Sequence, residues 1–195
     1  MPALETIKKL REETGAGMGD INRALEEANG DEIKALEILR KSGQKIMAKK
    51  ADRLTKEGIV EAYLHSNARV GVLVLIACET DFVARNESFK EFAHEVALQV
   101  AATNPAYLAP EEIPAEVIEK EKEIYRAQLA DSGKPTEMIE KIVEGKLDKF
   151  YAEVCLLNQT YIKDDSLTIA KLLEANIAKI GENIKIVKFV RMSIG

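Results

Sequence analysis

Three groups of residues in this 195-residue sequence carry side chains suited to chemistry. Cys78, His65 and Asp81 are the residue types of a nucleophile, a base and an orienting carboxylate, a hydrolase constellation whose geometry no sequence can fix. Gly15, Gly17 and Gly19, with Met18 between the last two, look like a phosphate cradle, but no strand pattern precedes them and no Lys-Ser/Thr pair follows. They read better as a tight turn between helices that presents Met18 as an adaptable apolar anchor for a partner. The third group is Glu79-Thr80-Asp81-Phe82-Val83-Ala84-Arg85-Asn86, a polar stretch holding one aromatic residue. As plain structure, Asp81 caps or turns the chain and Phe82 tucks against the helix that follows. As a contact surface, Phe82 is an exposed wedge with a carboxylate beside it, the composition of an interface hot spot. Residue types leave both readings open. Neither His65 nor His94 has cysteines or carboxylates at ligand spacing around it, so no metal site is expected.

The elements that must position these groups follow from apolar periodicity. The run 70–78 reads as a buried strand, and Phe89, Phe92, Ala93, Val96, Ala97 and Val100 recur at helical spacing, so the polar stretch is a strand-to-helix junction. Cys78 closes the buried run, which favours an inert core thiol over a nucleophile. Residues 58–65 alternate, with Val60, Ala62 and Leu64 on one face and Ile59, Glu61, Tyr63 and His65 on the other; a turn at 66–69 joins the two strands as an antiparallel hairpin. Upstream, three short helices carry Leu4, Ile7 and Leu10, then Ile21, Ala24 and Leu25, then Ile33, Leu36 and Leu39, with Asn29-Gly30 as a C-cap and Asp31 as the next N-cap. From 41 to 57 six basic residues face only Asp52 and Glu57, which suits a basic helical linker or a surface that docks on an acidic partner.

Downstream, Pro114 opens a helix with Val117, Ile118, Ile124, Tyr125 and Leu129, in pairs seven apart as in a coiled-coil seam. Residues 131–135 supply a C-cap glycine and an N1 proline, and the chain returns through Met138, Ile139, Ile142, Leu147, Phe150 and Val154. Glu121, Gln128 and Lys146 interrupt the seam, so the hairpin is expected to project. Ser166 is expected to cap a helix carrying Ile169, Leu172, Leu173, Ile177 and Ile180, and 184–192 to form a last strand, apolar on both faces, that completes the sheet begun at 58. The expected architecture is α+β: three or more antiparallel strands with helices on one side.

Composition bounds the function. An apolar share of 46% with 31% charged residues argues against disorder, and the net charge of −5 gives no field for polyanions, so no direct nucleic-acid binding is expected. No apolar run is long enough for a membrane span and the N-terminus lacks a secretory h-region, so a cytoplasmic protein is expected. Besides the hydrolase reading, an adaptor that uses the three-helix unit to bind another protein fits these features.

The order of several motifs narrows the choice. Leu10-Arg11-Glu12-Glu13-Thr14-Gly15-Ala16-Gly17-Met18 with Asp20 and Ala24-Leu25 comes first. Arg69-Val70-Gly71-Val72-Leu73-Val74 and Cys78-Glu79-Thr80-Asp81-Phe82-Val83-Ala84-Arg85 follow. Gly133-Lys134-Pro135, Lys141-Ile142-Val143-Glu144-Gly145-Lys146-Leu147 and Ile180-Gly181-Glu182-Asn183-Ile184 complete the set. In this order the chain closely resembles the elongation factor Ts family, the guanine-nucleotide exchange factors of bacterial elongation factor Tu. The resemblance implies a ubiquitin-associated (UBA)-like three-helix bundle at 1–42, a basic helical linker at 43–57 and an α+β dimerisation core at 58–195, with a protruding coiled-coil hairpin at about 114–154. It implies that Thr80, Asp81, Phe82 and Val83 enter beside the partner's nucleotide site and dislodge its magnesium. Arg11 and Met18 would contact the GTPase domain, and His65 would approach the phosphate-binding loop. The implied activity makes or breaks no bond, so no enzyme is expected. Longer relatives hold the 80–83 segment and the histidine in two versions of the core unit. This chain has both in one, which implies a homodimer whose partner touches both protomers. Gly19 stands where relatives often have a second methionine.

Overall fold

The computed structural model describes residues 4–14, 16–130 and 133–194; Gly15, Asp131 and Ser132, expected in turns, lie outside the described residues. The architecture is α+β, with eight helices among the described residues and a small antiparallel sheet. Helices α1 (Leu4–Thr14), α2 (Met18–Glu27) and α3 (Glu32–Lys50) bury Leu10, Ile21, Ala24, Leu25, Ala35 and Leu39 among themselves. Asn29 and Gly30 both have positive φ and end α2, and the Asp31 carboxylate accepts the Ile33 and Lys34 N–H groups to start α3. Ile33, expected in the stripe, is exposed and Ala35 is buried instead, because the bundle closes on the Ala35–Leu39 side of α3. The helix runs on unbroken through the first part of the basic segment to Lys50.

Strands β1 (Glu57–Leu64) and β2 (Val70–Cys78) form the expected hairpin, and β5 (Lys185–Ser193) pairs antiparallel on the other side of β2, in the order β1-β2-β5. Gly58 allows the hairpin to close: a Cβ there would lie 2.2 Å from the Ile76 carbonyl oxygen. The inner face places Ile59, Ile76 and Ile186 in one row, Glu61, Val74 and Phe189 in the next, and Tyr63, Val72 and Arg191 in the third. Against it pack helices α5 (Glu87–Thr103) and α8 (Ile169–Ile180), which bury Phe89, Phe92, Val96, Val100, Leu173 and Ile177. Arg191 reaches across to donate to the Ala101 carbonyl.

Between α5 and α8 the chain forms the helical hairpin of α6 (Ala115–Leu129) and α7 (Thr136–Val154). Two of its polar interruptions satisfy each other, Lys146 donating to Gln128 at 2.6 Å and lying over the Tyr125 ring, and beside them Arg126 grips Glu140 through two nitrogens. Pro135 occupies the N-cap of α7, one position before the expected N1. Two further differences lie between α7 and α8. It contains a small second sheet, β3 (Thr160–Tyr161) with β4 (Asp164–Thr168), and α8 is capped by Thr168, whose hydroxyl accepts the Lys171 N–H. Ser166 is unavailable as a cap because its N–H and hydroxyl both bond the Asp164 carboxylate within β4.

Candidate functional site

The junction 79–86 folds as one turn of helix, α4 (Asp81–Ala84), followed by Asn86 as the N-cap of α5. Thr80, rather than Asp81, takes the N-cap position and accepts the Val83 N–H through its hydroxyl; Asp81 falls in the first turn and pairs with Arg85 at 3.1 Å. The reason is strand length: β2 holds extended geometry through Cys78, and Thr80 is the last residue still in the β region before helical dihedrals begin. Ala84 is buried and Val83 packs on the core, so the turn is seated from below. Phe82 points the other way and is 80% exposed. Of the two readings its residue type allowed, tucked or presented, the second is the one adopted.

The base under this turn is tied by hydrogen bonds from two parts of the chain. The Cys78 thiol donates to the Thr80 carbonyl, and the Glu182 carboxylate accepts from Thr80 and Glu79. Burial, with the Glu182 carboxylate nearby, pushes the Cys78 thiol up to about 11. Cys155 is also buried and also raised. His65 lies at the other end of the hairpin from Cys78, so the nucleophile, base and orienter types do not come together. Iodoacetamide at pH 7.5 is therefore expected to leave both thiols of the native protein unmodified and to label both in guanidinium, as read by intact mass. Because the folded Cys78 holds its proton above its ordinary value of 9.0, its contribution to stability is complete below that pH. That contribution is lost as pH rises through about 11.

His65 is exposed where β1 gives way to the 66–69 turn, and its Nδ1 lies 2.9 Å from the Tyr63 hydroxyl. The ring's tautomer sets which of the two groups donates in this bond. Tyr63 in turn meets His94 of α5 edge-on at 5.9 Å, and His94 bonds Glu61 at 2.9 Å. Strand alternation already placed Tyr63 beside His65; the support from His94 comes from another element and has no local signature. Arg11 is exposed in the last turn of α1, and Met18, at the start of α2, is 51% exposed.

The outer sheet face is apolar and uncovered. It presents Val60, Ala62 and Leu64 from β1, Leu73 and Leu75 from β2, and Val190 and Met192 from β5, with Lys188 at one corner. Val60 is 62% and Met192 68% exposed. A contiguous apolar surface of this kind marks an interaction face. Along β1, seven residue steps separate Glu57, next to the junction, from Leu64, the neighbour of His65, roughly 23 Å at strand rise. Among the described residues no cluster of His, Cys and carboxylate groups could hold a metal ion, and no helix is long and apolar enough to cross a membrane.

A small α+β core that braces one aromatic residue from behind and leaves one sheet face bare has the surfaces of a protein that works by contact. Its family is shown by comparison: the chain belongs to the elongation factor Ts family, whose model, described as "Elongation factor TS", matches residues 6–195. The Elongation factor Ts of Thermotoga maritima is 58% identical over 193 residues, covering 99% of this chain and 96% of that one. That of Carboxydothermus hydrogenoformans is 57% identical over 191 residues, covering 98% and 88%. That of Fervidobacterium nodosum is 56% identical over 191 residues, covering 98% and 97%.

Proposed function

We propose that this protein is the guanine-nucleotide exchange factor of elongation factor Tu, acting in the cytoplasm during translation elongation. The observation that carries the reading is Phe82, exposed on a capped and seated turn in a chain of this family. Magnesium demands near-ideal octahedral geometry at about 2.0–2.1 Å, so a small displacement of its ligands weakens its hold on a diphosphate. Phe82 fills an apolar gap in the GTPase domain, seated by Thr80 and Val83, while Asp81 disturbs the polar network around the ion. The phosphates lose charge neutralisation and GDP leaves. Arg11 and Met18 hold the GTPase domain, and His65 offers its ring to the phosphate-binding loop. No bond of the nucleotide changes, so the factor is not an enzyme in the chemical sense and needs no cofactor of its own; it binds no nucleic acid directly.

The division of labour proposed is a UBA-like bundle at 1–42, a basic linker at 43–57 and a dimerisation core at 58–195 carrying a coiled-coil arm. The bare sheet face supports a homodimer, since two copies packed through it would be covered on both sides. The separation of Phe82 from His65 along one hairpin supports a partner that touches both protomers, one offering the wedge and the other the histidine.

The test is direct. Mixing the protein with elongation factor Tu loaded with a fluorescent GDP analogue is expected to accelerate release about a thousandfold, a barrier reduction of roughly 4 kcal/mol. Excess GDP is expected to displace the factor, because coupling between two ligands is reciprocal. A release rate equal to that of elongation factor Tu alone would remove the proposal.

A further inference from the structure

We infer that residues 181–183, which follow α8, form a clasp that sets the pose of Phe82, with Glu182 as its positioning residue. The inference rests on the reading of Phe82 as the wedge. Helix α4 has four residues, too few to hold itself, since a single turn fixes several dihedrals for one hydrogen bond. Its shape must be imposed from outside, and Glu182 does so. Oε2 accepts the N–H groups of Glu79 and Thr80, both at 3.1 Å, and Oε1 accepts the Thr80 hydroxyl at 2.7 Å. That last bond decides which way the hydroxyl faces. Its proton goes to the carboxylate, so a lone pair is left for the Val83 N–H at 3.4 Å, the bond that starts the turn. A carboxylate can serve all three donors at once, whereas an amide would set an N–H₂ against one side.

The grip is reciprocal. Glu79 returns its own carboxylate to the Asn183 N–H at 2.6 Å, and Asn183, almost fully buried, donates its side chain to the carbonyls of Ala51 and Arg53. Lys50 bonds the Gly181 carbonyl, and Gly181, at φ +86, turns the chain out of α8 so that Glu182 faces the junction. The exit of α3 and the base of Phe82 are thus tied to the same three residues. The N-terminal bundle and the wedge share one anchor, so a partner that seats the bundle also loads the turn beneath Phe82.

Stimulated GDP release from elongation factor Tu, measured for Glu182→Ala, Phe82→Ala and the double variant, tests the positioning role. Glu182→Ala is expected to slow release about tenfold alone and less than about twofold on top of Phe82→Ala, because a mispositioned wedge and an absent one are equivalent. A loss of equal size in both backgrounds, or none in either, overturns it. Amide hydrogen exchange at Val83 and Ala84 in Glu182→Gln, which keeps the side-chain volume, is a separate measurement that needs no partner. Faster exchange there than in the parent is expected, and unchanged protection overturns the clasp whatever Phe82 does. If exchange quickens but Phe82→Ala leaves release unchanged, the wedge reading fails and the positioning role with it.

Discussion

Phe82→Ala is expected to slow stimulated GDP release from elongation factor Tu about a hundredfold while leaving the melting temperature of the protein almost unchanged. The two halves of this expectation have separate causes. Phe82 is 80% exposed, so its truncation removes little core, and alanine suits a helical position at least as well. The stability of the turn rests on Thr80, Val83 and Ala84, which the substitution leaves in place. A central aromatic at a protein interface, by contrast, commonly accounts for about 2–4 kcal/mol, which in a barrier is a factor of about 30 to 1,000. Adding Asp81→Ala breaks only an exposed pair with Arg85, worth about 1 kcal/mol or less to the fold, so any further loss of rate reports its action on the partner. Stopped-flow release of a labelled GDP reads the effect, and differential scanning calorimetry supplies the control. A parental rate for the double variant removes Asp81 and Phe82 from the mechanism.

If the homodimer proposed above packs through the bare sheet face, Leu73→Glu is expected to leave the protein monomeric and to lose most of the stimulated release. Leu73 lies on the central strand of the bare face, between Ala62 and Val190, and is half exposed in the single chain. A carboxylate there meets solvent in a monomer at little cost. In a two-fold dimer it would enter an apolar interface opposite its own copy, weakening association by about two orders of magnitude or more. Loss of activity is expected from the two-protomer arrangement proposed above, in which Phe82 and His65, at opposite ends of one hairpin, reach a partner from different copies. Sedimentation equilibrium decides the first claim: a monomer mass for the parent at every concentration removes the dimer, and a variant still dimeric moves the interface elsewhere. Full activity in a proven monomer would refute the two-protomer arrangement while leaving the wedge untouched.

Much of this protein is local in origin. The caps at Asn29-Gly30 and Asp31, the alternation in β1, the apolar run of β2 and the stripe of α5 each depend on neighbours within a few residues, and each forms as its pattern dictates. The order of motifs that marks the family is likewise a property of the chain. The small β3–β4 sheet escaped because Asp164 and Ser166 bond each other there, a choice their composition shares with any turn. What the tertiary structure alone decided is orientation. Both faces of β1 and β5 carry apolar residues, so periodicity cannot say which one the helices cover; packing of α5 and α8 against Ile59, Val74 and Ile186 settled it and left Val60, Leu73 and Met192 bare. By residue type Phe82 could tuck in or stand out; Val83 and Ala84 took the seat beneath it and left it exposed. The bonds that hold that turn come from Glu182 and Asn183, about a hundred residues away in sequence. Period and capping act over one or two turns of chain, whereas the partners of a carboxylate are set by whatever the fold carries to it.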